Sequence, residues 1–249
     1  MKWTIVIVGI CMAFRTVVGQ HYQHQDSLFF EVPDSADLNN PHFFNRDNRI
    51  YKPGMEFKFS YRIMKQHDTL LVRVTRSGDT KTSNWTLVNH READSLTIQF
   101  LSMKILEGYG GLDALFPTYS QTILEQRYYS ATRLLFEGST GLIENPLNVW
   151  FHPFRGKYLS VLQFSPFPYI KLPPNPQTTW TWALGDISER WSDSRIVAYS
   201  GKQQATYRYG ITGEKRVSTA LGLLPCHEVR ATAMTNLGST ALIACFNTT

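Results

Sequence analysis

The amino-acid sequence predicts an all-β protein, an antiparallel meander that forms a barrel or a strongly curved half-barrel with at most one or two short helices. Apolar and polar residues alternate over residues 55–63 and again over 95–100, which is the period of a half-buried strand. Short polar turns such as 65–68 separate these segments. Of the 249 residues, 13% are aromatic and only 18% are charged, so the composition is that of a packed domain and excludes a disordered chain.

The first element is a predicted signal peptide of residues 1–19. Lys2 precedes the apolar run Thr4–Phe14, which is too short to span a bilayer, and Gly19 supplies a small residue before the cut. An ordinary buried N-terminal strand is the alternative. No later apolar run reaches the length of a membrane helix, so we expect no transmembrane helix after signal cleavage.

The charge balance argues against nucleic acid as a partner. The formal net charge is +5, and the predicted signal carries Lys2 and Arg15 but no acidic residue. The remaining basic residues are scattered along the chain, whereas a nucleic-acid interface needs them gathered on one face.

Residues 20–50 are predicted as an N-terminal extension and residues 51–249 as a single β domain, because no repeat or sharp change of composition divides the chain. Glycines interrupt the meander near residue 110. Residues 118–129 are then predicted as a short helix with Leu124 and Tyr128 on one side.

The second half of the chain returns to strands after a passage rich in proline. Residues 146–176 are predicted to supply edge strands or a crossing loop, because proline cannot pair inside a sheet. Further strands are predicted over residues 179–184, 195–199 and 204–211.

The last element is a predicted hairpin of residues 226–234 and 240–247. A turn centred on Leu237-Gly238 creates one apolar face. The pairs expected on that face are Val229 with Phe246, Ala231 with Ala244, and Ala233 with Leu242. In this register Cys226 and Cys245 are four residues out of step, roughly 13 Å apart at 3.3 Å per residue. That distance is too long for a disulfide, although a β-bulge could bring them together in an oxidising compartment.

Two pairs of aromatic residues in predicted strands are candidate binding residues. Trp180 and Trp182 share one face of their strand, and Tyr207 and Tyr209 share a face of theirs. They could form a stacking platform for sugar rings or line an apolar pocket. The alternative is that they fill the core, the usual place of strand aromatics.

The sequence carries no positive signal for catalysis, a metal or a cofactor. Nucleophile elbows, phosphate loops, dinucleotide fingerprints and zinc signatures are absent from it. The absence of these motifs favours a non-enzymatic protein over an enzyme. The carboxylates considered as acid or base, most of them better explained as solvated surface groups, are Glu125, Glu137, Glu144, Asp186 and Glu189.

The most distinctive stretch runs from Glu144-Asn145-Pro146 through Trp150-Phe151-His152-Pro153-Phe154-Arg155 to Phe164–Lys171. It resembles an uncharacterised family of exported β-rich proteins, a domain of unknown function of Bacteroidota-type bacteria. Trp180-x-Trp182, Tyr207-x-Tyr209 and the closing strand Gly238–Asn247 are similar to that family too. The resemblance implies an envelope β-barrel or half-barrel, in the style of carriers of lipophilic ligands, and no catalytic residue.

In the same stretch, His152 and Arg155 lie beside Trp150. They could act as polar hooks for an anionic head group at the mouth of an apolar cavity, or Arg155 could brace the proline-rich crossing. The predicted ligand-binding residues are Trp150, His152, Arg155, Trp180, Trp182, Tyr207 and Tyr209.

The leading functional hypothesis is an exported cell-envelope protein that binds an apolar or amphipathic ligand or an envelope protein partner. A secreted carbohydrate-active enzyme or carbohydrate-binding module is the alternative, and a purely structural or adhesion component of the envelope is a third class. No cofactor is expected.

Overall fold

The computed structural model describes residues 48–75, 85–106 and 121–247, together with three short strands before them. Most of the predicted signal peptide and N-terminal extension, and the glycine-rich interruption near residue 110, lie outside the described residues. The strands are β1 (Val8–Gly9), β2 (Tyr22–Gln25), β3 (Leu28–Glu31), β4 (Glu56–Ser60), β5 (Ile63–Lys65), β6 (Asp68–Val74), β7 (Trp85–Asn89), β8 (Phe100–Ile105), β9 (Thr122–Tyr129), β10 (Leu134–Asn145), β11 (Asn148–Phe151), β12 (Tyr169–Lys171), β13 (Thr179–Ile187), β14 (Gln203–Thr219), β15 (Gly222–Thr235) and β16 (Gly238–Phe246).

Two large sheets dominate the fold. One has six strands in the order β12-β11-β10-β9-β8-β4 and curls strongly into a half-barrel. The other has five strands in the order β1-β16-β15-β14-β13. Within these two sheets, every pair formed among strands β4 and β8 to β16 is antiparallel. This confirms the predicted all-β, half-barrel fold class.

Smaller elements complete the described chain. Strands β5, β6 and β7 form a three-stranded sheet, and β2 pairs with β3. Short 3-10 helices cover His90–Glu92, Lys157–Phe164 and Glu189–Trp191.

The helix predicted over residues 118–129 is wrong where the structure describes it. Residues 122–129 form β9, which pairs with β8 on one side and β10 on the other. Leu124, Gln126 and Tyr128 are buried on one face of this strand, a period of two that the helical interpretation overlooked. The strand predicted over residues 195–199 is also wrong, because Asp193 and Val197 instead close a tight turn.

The closing hairpin has its predicted apolar face but not its predicted register. Val229 lies opposite Ala244, and Ala231 lies opposite Leu242, a shift of two residues that returns every side chain to the same face. The physical reason is the turn. Thr235 lies opposite Gly238, so Gly238 with its φ of +132° begins β16 and does not lie inside the loop.

The register also changes the spacing of the two cysteines. Cys245 lies opposite Glu228, two residues along β15 from Cys226, so the predicted offset of four residues is wrong. Both side chains are buried thiols. The Sγ of Cys226 donates to the Leu224 carbonyl oxygen over 3.6 Å.

Two apolar cores pack against the same face of the curled six-stranded sheet. Met103 of β8 and Leu124 of β9 belong to the core shared with the five-stranded sheet. Leu101 and Tyr128, at alternate positions of the same two strands, belong to a second core with β6, β7 and the 3-10 helix 157–164. The first core contains the predicted site residues.

The proline-rich passage contains both an edge strand and a crossing loop, the two features predicted for it. Residues 152–168 cross from β11 to β12, and β12 is the last strand at one edge of the six-stranded sheet. The passage therefore adds a layer of side chains between the sheets without interrupting either ladder.

Candidate functional site

Strand register brings the predicted aromatic pairs together. In the β13–β14 ladder Trp180 lies opposite Tyr209, and Trp182 lies opposite Tyr207. The first pair stacks with centroids 5.2 Å apart and an interplanar angle of 2°, and the second with 4.9 Å and 22°. Directly opposite side chains on one sheet face are close enough for such stacking.

The crossing passage and β11 supply the other half of the site. Phe167 lies at its centre, with ring centroids 5.7 Å from Trp150, 5.0 Å from His152 and 5.4 Å from Trp182. The ring of Tyr207 lies 6.1 Å from that of Phe167. We call Trp150, His152, Phe167, Trp182 and Tyr207 the Phe167 cluster.

A second aromatic group continues from this cluster along the same sheet face. Tyr169 of β12 contacts Trp180 and Tyr209, with centroids 5.2 Å and 5.3 Å away. Lys171 Nζ lies 6.0 Å from the centre of the Trp180 ring. Six of the seven predicted site residues therefore lie in one continuous aromatic layer between the two large sheets.

These aromatic rings are buried. Trp180 is 6% exposed, Trp182 7% and Tyr207 0%. The indoles therefore do not lie flat on an open surface, which is the geometry that a sugar-stacking platform needs. Their burial agrees equally with a core role and with an enclosed binding site.

Several polar atoms in this layer have no hydrogen-bond partner among the described protein atoms. They are Trp150 Nε1, His152 Nδ1, Trp180 Nε1 and Tyr207 OH. By contrast, the hydroxyl of Tyr209 donates to the Phe167 carbonyl oxygen over 3.1 Å. A buried polar group without a partner is costly, so each such group requires an explanation.

Burial also sets the charge state of the site. It lowers the pKa of His152 well below its usual range, and the nearby positive charge of Arg155 lowers that pKa further. The imidazole is therefore neutral at physiological pH. Burial raises the pKa of Tyr207 in the same way, so its phenol keeps its proton.

Arg155 is placed as a brace for the crossing passage. Its guanidinium donates to Gln163 Oε1 over 3.0 Å and to Thr140 Oγ1 over 2.7 Å. The same group lies over the Trp191 ring, 5.2 Å from its centre. These contacts tie the passage to β10 and to the 3-10 helices, the second of the two roles expected for this residue.

Sequence reasoning missed two members of the aromatic layer, Phe167 and Tyr169. Both are 0% exposed. Both lie in the stretch Pro166-Phe167-Pro168-Tyr169, where aromatic residues between prolines could have indicated rings held rigidly on the crossing. Their central position depends on the packing of the two sheets, which no local pattern shows.

The candidate carboxylates do not form an acid–base pair around the aromatic layer. Glu125 and Glu137 both lie against Arg127, with oxygens 2.5 Å and 3.6 Å from Nε. Asp186 pairs with Lys202 over 2.7 Å, and Glu189 accepts from the Gly201 amide. Glu144 is buried elsewhere in the fold.

Comparisons with known proteins add no relative. The sequence matches no family model, and no curated protein or solved structure is significantly similar to it. Among the described residues, no helix is long and apolar enough to cross a membrane. In the same part of the chain, no group of three or more His, Cys, Asp or Glu side chains is placed to hold a metal ion.

Proposed function

We propose that the protein is an exported, cell-envelope binding protein that holds an apolar or amphipathic ligand between its two large sheets. The observation that carries this proposal is the Phe167 cluster, in which contacting aromatic rings carry the unpartnered buried polar atoms of Trp150, His152 and Tyr207. Mostly apolar walls with a few polar groups are typical of small-molecule sites in proteins.

The proposed compartment and the proposed ligand support each other. The predicted signal peptide of residues 1–19 directs the chain out of the cytoplasm, where apolar molecules need a carrier to cross an aqueous space. An envelope protein partner is the other binding partner expected from the sequence. The alternative glycan-binding function is less favoured, because the Trp180 and Trp182 rings are buried.

Native mass spectrometry of the protein purified from the cells that produce it tests this proposal. We expect a one-to-one adduct of lipid-like mass, released when the protein is denatured, and an intact mass that lacks residues 1–19, including the edge strand β1. Trp182→Leu in the Phe167 cluster should remove most of the adduct. Trp85→Leu is the matched control, because Trp85 is equally buried, at 9% against 7%, but lies in the second core.

Two results would count against the proposal. One is the absence of an adduct together with binding on a glycan array, which would favour the carbohydrate-binding alternative. The other is an equal loss of adduct in both tryptophan variants while both keep the circular dichroism spectrum of the folded wild type, which would place the ligand outside the Phe167 cluster.

A further inference from the structure

The hairpin that joins β14 to β15 extends beyond the five-stranded sheet as a two-stranded arm. Residues 215–219 pair with residues 222–226, whereas the β13 ladder ends at Gly210 and the β16 ladder ends at His227. We call residues 215–226 the β14–β15 arm. Among the described residues, no third strand pairs with this arm, so its tip projects away from the sheet.

The tip of the arm exposes leucine side chains. Leu221 in the turn is 71% exposed, the largest value among the large apolar residues that the structure describes. Leu223, at the start of β15, is 58% exposed. Val217 and Leu224 lie opposite each other one step further from the tip, and both are half-buried. The arm therefore presents apolar surface to whatever it meets first.

The arm carries basic residues and no acidic ones. Lys215 and Arg216 are exposed, and residues 215–226 contain no Asp or Glu. Because successive residues of a strand point to opposite faces, each face of the arm has one basic residue. Glu214 and Glu228 lie farther from the tip than either cation, and Lys215, bonded to Glu228, stays 54% exposed.

The same features disfavour a protein as the partner of the tip. A stable protein interface buries about 800 Å² on each partner, far more than two leucines at the end of a hairpin present. Addition of a strand is disfavoured at Pro225, which has no N–H to donate and whose carbonyl oxygen already accepts from Asn247 Nδ2 over 2.6 Å. A lipid surface has no such area requirement, because each leucine that enters it contributes by itself.

We propose that the β14–β15 arm docks on an anionic lipid bilayer, with Leu221 and Leu223 in the apolar layer and Lys215 and Arg216 at the phosphate groups. Arg216 lies three residues before the end of β14, about 10 Å at 3.3 Å per residue. That length suits shallow insertion, since amphipathic elements enter the boundary of headgroups and acyl chains by about 5–10 Å. Deeper insertion is opposed, because backbone groups at the outer edges of the arm need water or headgroups as partners.

The inference goes beyond the proposed function, since it requires no ligand at the Phe167 cluster. Vesicle flotation with the protein purified from the cells that produce it tests the docking. Binding to vesicles of phosphatidylglycerol and phosphatidylethanolamine should be about tenfold tighter than binding to phosphatidylcholine vesicles, and the difference should shrink as salt screens the charges. Failure to bind the anionic vesicles, or equal binding to both kinds, would overturn the inference and leave the proposed function standing.

A matched pair of leucine variants locates the contact. Leu221 and Leu237 occupy the same position in two Thr-x-Leu-Gly turns at opposite ends of β15. Leu221→Ser should weaken binding to the anionic vesicles about tenfold, whereas Leu237→Ser should leave it unchanged. Equal weakening in both variants, with unchanged circular dichroism, would overturn the insertion of the arm.

A second pair of variants tests the role of charge. Arg216 and Arg208 are both exposed on β14, but Arg208 lies within the sheet, opposite Thr232. Arg216→Gln should weaken binding to the anionic vesicles about fivefold, and Arg208→Gln should not. Sedimentation velocity gives the remaining check. A dimer that Leu221→Ser dissociates, with vesicle binding unchanged, would overturn the inference and assign the tip to a contact between two copies of the chain.

Discussion

At the scale of single residues, Glu144 is buried, whereas most of the candidate carboxylates were expected to be solvated surface groups. Its side chain is 3% exposed, and its carboxylate accepts from the amides of Ile50 and Tyr51 over 3.1 Å and 2.9 Å. Asn48 adds bonds to the Tyr51 carbonyl oxygen and to Thr122 Oγ1. Glu144 therefore holds the segment before β4 against the six-stranded sheet.

The pKa of Glu144 makes the stability of the protein depend on pH. Burial raises this pKa above 4.5, although the backbone amides oppose the shift. The folded state therefore favours the protonated carboxyl, and the free energy of unfolding should fall as pH rises from about 4.5 through the folded-state pKa. Glu144→Gln keeps an acceptor oxygen but cannot ionise.

Urea unfolding of the wild-type protein and Glu144→Gln across this pH range checks the expectation. The stability of the wild type relative to the variant should decrease as pH rises. A relative stability that increases with pH would show that hydrogen bonding to the carboxylate outweighs the cost of its burial.

At the scale of elements, two hairpins of the five-stranded sheet close with the same Thr-x-Leu-Gly pattern. Thr219-Ala220-Leu221-Gly222 joins β14 to β15, and Thr235-Asn236-Leu237-Gly238 joins β15 to β16. In each turn the threonine Oγ1 accepts from the leucine amide and donates to the glycine carbonyl oxygen. Both glycines have positive φ, +105° and +132°, which other residues rarely adopt.

The two turns differ in what surrounds them. The turn at Gly238 joins strands that pack into the first core. Residues 215–219 pair with residues 222–226 beyond the ends of the β13 and β16 ladders, and Asn247 Nδ2 donates to the Pro225 carbonyl oxygen near the base of this arm. Leu221 and Leu223 at the tip of this arm are 71% and 58% exposed.

Alanine at the two glycines should therefore have unequal effects on stability. Gly238→Ala should lower the free energy of unfolding by about 1–3 kcal/mol, because it forces strain on the hairpin that covers the core. Gly222→Ala should cost less than about 0.5 kcal/mol in global stability, because the arm can open locally. Denaturant unfolding measures both, and Gly185→Ala is the control, since Gly185 has an ordinary φ and open space around it. Equal losses at the two turns would show that the arm unfolds together with the sheets.

At the scale of the whole molecule, the curled sheet joins two cores. Its strands β8 and β9 contribute side chains to both of them, and Phe59 and Phe154 pack against both. Neither core can lose its packing without exposing part of the same sheet face. The single domain predicted for residues 51–249 stays a prediction, and the shared sheet face gives it a test.

The protein should accordingly unfold in one transition. Trp85 belongs to the second core, while Trp150, Trp180 and Trp182 belong to the first. In Trp85→Phe the fluorescence therefore reports chiefly on the first core, and its denaturant midpoint should coincide with that of far-ultraviolet circular dichroism. The substitution itself should cost about 1–3 kcal/mol, because it reduces a buried ring that packs on Tyr158 and Arg195. Separate midpoints would divide the protein into two units.

Much of the fold could be predicted because the face on which a strand residue lies is a local property. The alternation of residues 55–63 and the apolar face of the closing hairpin follow from a period of two, which needs no knowledge of the partner strand. Where the local pattern was ambiguous, as over residues 122–129, the neighbouring strands decided between helix and strand. The repeated Thr-x-Leu-Gly turn was visible in the sequence and would have predicted the hairpin register.

The sequence by itself determined the all-β class and which aromatic side chains share a face. Only the tertiary structure decided that these faces meet around Phe167, that Arg155 braces the crossing, and that Glu144 is buried. The physical reason is that periodicity records the direction of each side chain, whereas hydrogen-bond partners depend on residues far apart in the chain. For the same reason, the unpartnered polar atoms that carry the proposed function became visible only when the two sheets were packed together.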